Sequence, residues 1–239
     1  MENQEGIEKL FFELASESRL GILRELQTKN LKMQEIARRL DLTATEAVRQ
    51  LKRLTEALLI QRQPEGSYTI TEYGKLVLQL SASLQFAFKH KKFFLTPDIW
   101  RLPYQFVNRI GELSQTNLIA DTMEGISKLE QVLREAQQYV WGFGEGRFTE
   151  AMSTIANEQT RKGMEYKILS PLPPAKLQNL ENRTHSELPA VFALTEKDAV
   201  ICFRLIGGKA DYAGLFGKDP IFLSWVKDLF LYYWDKGKR

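Results

Sequence analysis

Along the first third of the chain, apolar positions recur at spacings of three and four, the period of a helix that buries one face. In 7–15, Leu10, Phe11 and Leu14 point inward, and Ser16 then caps a second helix in which Leu20, Leu23 and Leu26 repeat, with Ile22 widening the stripe. Met33, Ile36, Ala37 and Leu40 mark a third. Ala44, Val48, Leu51, Leu54 and Leu58 mark a fourth, across the turn Leu40-Asp41-Leu42. Thr43 with Glu46 forms a capping box that fixes the start of this fourth helix. The period then changes. The runs 60–63 and 67–71 are strand-like and flank Pro64-Glu65-Gly66, which predicts a hairpin. Thr71 caps a further helix over 72–92, where Leu76, Leu80 and Leu84 recur every fourth residue and Val77, Leu78, Phe86 and Phe88 broaden the stripe. That stripe is wider than one small domain covers. Either a second copy of the helix or the C-terminal half packs on it.

Helix, turn, helix, hairpin, helix is the order of a winged helix-turn-helix. The face of the fourth helix away from the core carries Thr45, Glu46, Arg49, Gln50, Lys52 and Arg53. Long donors on a capped helix braced by a crossing helix are what reading the major groove requires. On this pattern Arg49, Gln50 and Thr45 are candidates for base edges; Thr43, Lys52, Arg53 and the wing residue Arg62 are candidates for phosphates. Residues 29–63 hold eight Lys or Arg against four acids, in a chain whose net charge is only +3, so the stretch is basic against a nearly neutral background. The plainer alternative is a helical hairpin with a solvated charged face.

Through Leu42-Thr43, Val48, Leu51 and Leu54 along the fourth helix, and Tyr68-Thr69-Ile70-Thr71-Glu72-Tyr73-Gly74 after the hairpin, the sequence resembles the ArsR-like winged-helix regulators. One departure is visible. Such domains often place Gly at the end of the recognition helix; here Leu58 stands there, and the left-handed cap is expected to be absent or shifted.

Beyond a boundary between 94 and 102, helix and strand signals alternate. Helices are expected over 104–113, 122–138 and 147–162 and from Asp219 or Pro220 to about Trp234. Strands are expected at 139–143, 164–169, 190–194, 199–206 and 212–216. Such alternation predicts an α/β layer with a central sheet. The expected division is therefore 1–95, a winged helix-turn-helix with a long linker helix, and 96–239, an α/β layered domain, giving an α+β chain overall. Glu187-Leu188-Pro189, the run from Ala199 to Phe203, and Phe216-Gly217-Lys218-Asp219-Pro220 leading into Trp225 and Trp234 resemble the C-terminal module of archaeal regulators of the methanogenesis-regulator (FilR-like) type. That resemblance implies an effector-responsive domain but no particular ligand.

Candidate chemistry narrows the choice further. The run GFGEGR after the 139–143 strand has neither the G-x-G-x-x-G spacing nor a P-loop Lys, so its glycines read as turn residues. His185-Ser186-Glu187 is no triad, because neighbours on a chain rarely face each other. Arg147, Arg183, Glu187 and Arg204 are candidate polar contacts for an effector in a cleft at the strand ends. One cysteine and two histidines leave no metal cluster, so neither a metal nor a cofactor is expected. No apolar run reaches membrane-span length, the start MENQEGIEKL lacks the look of a signal peptide, and the cytoplasm is the expected compartment. The expected protein is a homodimeric regulator that binds double-stranded DNA, responds to a small-molecule effector and is not an enzyme. The alternative is a winged-helix adaptor that docks protein.

Overall fold

The computed structural model describes residues 6–145, 149–172 and 180–238. The chain divides into two compact units, one up to Ala82 and one from Ser83. In the N-terminal unit α1 (Ile7–Leu14), α2 (Glu17–Thr28), β1 (Leu31–Lys32), α3 (Met33–Arg39), α4 (Ala44–Glu56), β2 (Ile60–Arg62) and β3 (Ser67–Ile70) lead into α5 (Glu72–Lys89). Its core gathers Ile22, Leu23, Leu26, Ile36, Leu51, Leu54, Ile60 and Ile70 with Val77 and Leu78 of α5. This is a winged helix-turn-helix. The wing sheet has the order β1-β3-β2, antiparallel throughout. β1 was not foreseen, since two residues carry no period; Leu31 and Lys32 pair with Tyr68 and Ser67.

The wing's hairpin closes where Gly66 N–H donates to Gln63 C=O (2.9 Å) and Gln63 N–H to Ser67 C=O (2.8 Å). Gly66 takes φ +89°, the glycine position of a bulged hairpin. Helix α4 ends in the left-handed cap that the sequence argued against. Leu59 N–H donates to Leu54 C=O and Leu58 N–H to Thr55 C=O, both at 3.0 Å, the paired bonds of a Schellman motif. Leu58 itself adopts φ +59°. The two capping bonds and the turn into β2 hold a leucine in a conformation that ordinarily favours glycine. Its side chain is 69% exposed rather than inward. Gly74 meets a different demand, close approach. A Cβ there would lie 2.1 Å from the Leu59 carbonyl oxygen, so only glycine lets the first turn of α5 pass.

The C-terminal unit has short 3-10 turns at Phe93–Leu95, Ile99–Arg101 and Ile110–Leu113 around α6 (Tyr104–Asn108). It continues as β4 (Asn117–Ile119), α7 (Thr122–Glu135), β5 (Tyr139–Phe143), α8 (Glu150–Arg161), β6 (Glu165–Ser170), β7 (Glu181–Thr184), β8 (Ala190–Leu194), β9 (Ala199–Phe203), β10 (Gly214–Gly217) and α9 (Pro220–Trp234). Its seven-stranded sheet has the order β4-β10-β9-β8-β5-β6-β7. Only β5–β6 and β6–β7 pair in parallel; the other four pairings are antiparallel. Side chains alternate between two cores, as the period of a strand requires. Ala199, Ile201 and Phe203 pack with Phe222, Trp225 and Phe230 of α9 on one face. Val200 and Cys202 pack with Leu129, Leu133 and Met152 of α7 and α8 on the other. The layered α/β expectation holds. The single helix expected over 104–113 is instead α6 and a 3-10 turn, and β4 and β7 were not foreseen.

The units divide earlier than residue 95 because the last turns of α5 already serve the C-terminal core. Phe86 is buried there, and the Ser83 hydroxyl donates to Asn108 C=O and accepts from Gly111 N–H, both at 3.2 Å.

Two substitutions test these backbone demands in urea or thermal unfolding. Leu58→Gly relieves about 1–2 kcal/mol of left-handed strain against an entropy cost of about 0.5–1 kcal/mol, and is expected to stabilise slightly. Gly74→Ala drives a methyl into a carbonyl and is expected to destabilise by about 1–3 kcal/mol. The opposite signs would contradict the backbone geometry described.

Candidate nucleic-acid interface

The turn between α3 and α4 is built from backbone bonds. Leu42 N–H donates to Ala37 C=O (2.8 Å) with Asp41 at φ +52°, a conformation that aspartate tolerates better than most residues. The Thr43 hydroxyl then accepts from Glu46 N–H at 3.2 Å and starts α4.

From there α4 is oriented by α1 and α2. Glu13, at the end of α1, lies between two guanidiniums. Arg53 of α4 reaches its carboxylate through Nε and Nη2 at 3.2 and 2.5 Å. Arg19 of α2 is 3.0 Å away. Arg19 is buried and also donates to Glu13 C=O (2.8 Å), to Phe12 C=O (2.6 Å) and, through Nη1, to Gln50 Oε1 (2.9 Å). The Phe12 ring lies under both cations, 4.8 Å from the Arg53 guanidinium and 5.6 Å from that of Arg19. The Arg53 hydrogen bond, with the charge of Arg19 beside it, holds the Glu13 carboxyl below the usual carboxylate range; burial opposes this and loses.

This network corrects two expectations. Gln50 is not at a base edge: it is 6% exposed, and its amide is the buried partner of Arg19. Arg53 is not a free phosphate contact, because its guanidinium is held by Glu13. The helical period explains both. Ala47, Gln50, Leu51 and Leu54 form the buried line of α4, so Val48 and Ala44, expected inward, lie outside.

The exposed face is Thr45, Val48, Arg49 and Lys52. Arg49 makes no ion pair among the described residues, and Lys52 has only a loose one to Glu56 at 3.8 Å. Val48 is the residue that the sequence reading missed on this face, because it was counted as core. An exposed valine between Thr45 and Arg49 offers the apolar contact that a thymine methyl takes. Thr43 is exposed at the helix start with its hydroxyl engaged as the cap, and Arg62 is exposed on β2, an edge strand of the wing.

The four residues expected to touch an effector do not converge. Arg147 lies outside the described residues. Arg183, on β7, donates to Trp234 C=O (2.7 Å) and stacks on the Trp234 ring at 4.4 Å, tying down the C-terminal end. Glu187 is exposed on a loop. Arg204 is buried, and all three of its nitrogens are engaged, by Leu188 C=O, Gly208 C=O and the Glu145 carboxylate. The Arg204–Glu145 pair sits by a cavity of about 50 Å³, lined by Leu129, Leu133, Val140, Phe143, Met152 and Tyr212. Cys202, beneath the same layer, has its thiol pushed up to about 12 by burial. No grouping of His, Cys, Asp or Glu among the described residues is arranged to hold a metal ion, and no described helix is long and apolar enough to cross a membrane.

Residues 7–90 match the protein family described as the HVO_A0261 N-terminal domain. No curated protein matches. Among solved structures, the chain is similar to TrmBL2, described as an archaeal chromatin protein, at 15% identity over 97% of this chain and 98% of that one, TM-score 0.44. It is also similar to the dimethyltransferase RosA from Streptomyces davawensis at 13% identity over 74% of this chain and 63% of that one, TM-score 0.29. The O-methyltransferase NcsB1 of neocarzinostatin biosynthesis follows at 13% identity over 77% and 68%, TM-score 0.25. At such scores these are distant likenesses of chain path, without bearing on activity.

The Glu13 network carries a test. A carboxyl held low contributes stability that is fully present above its unfolded value, about 4.3, and lost as pH falls through the folded one. Stability of the chain against unfolding, followed by α-helical circular dichroism, is expected to fall below about pH 4. Glu13→Gln is expected to flatten that dependence and to cost about 1–3 kcal/mol at neutral pH, since it leaves Arg19 buried and under-compensated. An unaltered pH profile would mean that the carboxylate does not organise the unit.

Proposed function

We propose that this chain is a DNA-binding transcription regulator whose α4 enters the major groove. The observation that carries the reading is the exposed face of α4: Thr45, Val48, Arg49 and Lys52 stand outward on a helix whose start is capped and whose back is pinned by Arg19 and Glu13. Arg49 takes the base-reading role, since a guanidinium can bond guanine O6 and N7 together, and Val48 and Thr45 flank it. Lys52, Thr43 and Arg62 take phosphates.

The finer reading is an ArsR-like homodimer that works in the cytoplasm. Leu76, Leu80 and Leu84 are spaced four apart on α5 and are between 56% and 67% exposed, a stripe that a second copy would cover. Nothing in the reading assigns the chain a catalytic step. The C-terminal unit takes the effector role, and the support is the apolar cavity beside the Arg204–Glu145 pair. About 50 Å³ is far below the size of an ordinary ligand pocket, so an effector binds only as α7 or α8 shifts away from the sheet. A metabolite that binds this unit without altering operator affinity would contradict the sensor role, because a ligand with equal affinity for two states shifts neither.

Binding to duplex DNA is expected to weaken roughly 10³- to 10⁵-fold between about 50 and 200 mM salt if six to ten phosphates are neutralised. Arg49→Ala is expected to relax sequence preference, whereas Lys52→Ala weakens all sequences about equally. Salt-insensitive binding, or capture of a protein with no DNA binding, would favour an adaptor instead.

In sedimentation, Leu80→Glu with Leu84→Glu is expected to convert a dimer to a folded monomer. A dimer that survives both changes would place the contact elsewhere.

A further inference from the structure

We infer that the C-terminal unit carries a second contact surface for duplex DNA, formed by Lys89, Lys91, Lys92 and Lys209; the inference rests on the reading that the chain binds DNA. Residues 73–111 hold six Lys or Arg and a single acid, Asp98, so this stretch alone carries more positive charge than the whole chain at +3. Asp98 is paired with Arg101 at 3.1 Å. Lys89, Lys92 and Lys209 are exposed and make no ion pair among the described residues. Lys91 rests its ammonium 4.8 Å over the ring of Phe88, which orders the side chain without neutralising it.

Backbone bonds bring the two parts of this surface together. Asp98 N–H donates to Arg204 C=O (2.7 Å), Ile206 N–H donates to Thr96 C=O (3.2 Å), and Pro97 bridges Leu205. The turn carrying Lys209 is thereby laid beside the segment that follows Lys92. The Arg101 guanidinium lies against this turn, 3.2 Å from where a Cβ on Gly208 would stand. Trp100 and Tyr104 are 81% and 75% exposed, and their N–H and O–H find no partner among the described residues. Such donors contact phosphate oxygens alongside lysine.

The charge selects the partner. A second copy meeting this face across a two-fold axis would set lysines against lysines, which repel. An anionic lipid surface would accept the lysines, but interfacial binding gathers its apolar residues on one face of an amphipathic helix. Here they come from a helix end, two 3-10 turns and a loop. A phosphodiester backbone needs only exposed cations and donors along a strip, which is what these segments present.

The test uses the full chain, wild type against a variant with Lys89→Gln, Lys91→Gln, Lys92→Gln and Lys209→Gln, on the duplex the wild type binds best. The slope of log affinity against log salt is expected to fall by about 0.9 for each phosphate no longer neutralised, roughly two to four units in all, with the preference among sequences unchanged. The variant with Lys91→Gln and Lys92→Gln alone is expected to show about half that fall, and it carries the test if the fourfold variant does not fold. An unchanged slope beside normal wild-type binding would overturn the second surface and leave the reading of α4 standing. A wild type that binds no duplex would overturn both. Vesicles of phosphatidylserine and phosphatidylcholine supply the remaining arm: vesicle binding abolished by the variant, with the DNA slope unaltered, would mean that the surface faces lipid and overturn the proposal.

Discussion

One carboxylate between two guanidiniums sets the geometry of the N-terminal unit. Glu13 belongs to α1, Arg19 to α2 and Arg53 to α4, and the buried bond from Arg19 to Gln50 adds a second tie to α4 one turn before Arg53. A helix held at two points on one side has little freedom to roll about its axis. The exposed face, Thr45, Val48, Arg49 and Lys52, is therefore presented in one orientation. The same contacts bury the Gln50 amide and pair the Arg53 guanidinium with Glu13. Two of the longest polar side chains of α4 are committed to positioning it.

Such a network is a poor source of raw stability, because desolvating Arg19 and Glu13 costs much of what their attraction returns. Its value lies in direction. Apolar packing of Leu51 and Leu54 on α2 would tolerate small rotations of α4; charged groups at defined distances would not. Removal of one member leaves another buried without compensation, so the unit tolerates loss of the whole network better than loss of Glu13 alone.

Much of the winged helix was legible because its helices are periodic and its boundaries are chemical: Ser16, Thr43 and Thr71 each accept a bond from the backbone N–H three residues on. Gln50 was not legible. Its amide falls on the inward line of α4 with Ala47 and Leu54, but the partner that makes burial tolerable, Arg19, lies 31 residues away in sequence. Leu58 misled for a related reason: capping bonds from Leu58 and Leu59 outweigh the propensity of a single side chain. In the C-terminal unit, the strands whose residues are all apolar, β8 and β9, announced themselves, while β7, which reads Glu-Asn-Arg-Thr, carries no strand signal and exists because β6 offers it an edge. The pairing order was beyond reach, because alternating helices and strands suggest parallel neighbours and the antiparallel run from β4 to β5 depends on contacts between distant segments.

The central claim, that Arg49 and Val48 on the outward face of α4 read bases in the major groove, is tested most directly by methylation interference on duplexes selected from a random pool. Methyl groups on guanine N7 stand in the major groove and those on adenine N3 in the minor groove. N7 methylation at one or two neighbouring guanines is expected to block binding, N3 methylation beside them is not, and Arg49→Ala is expected to abolish the N7 effect. Binding indifferent to N7 methylation, or blocked equally in Arg49→Ala, would contradict the claim.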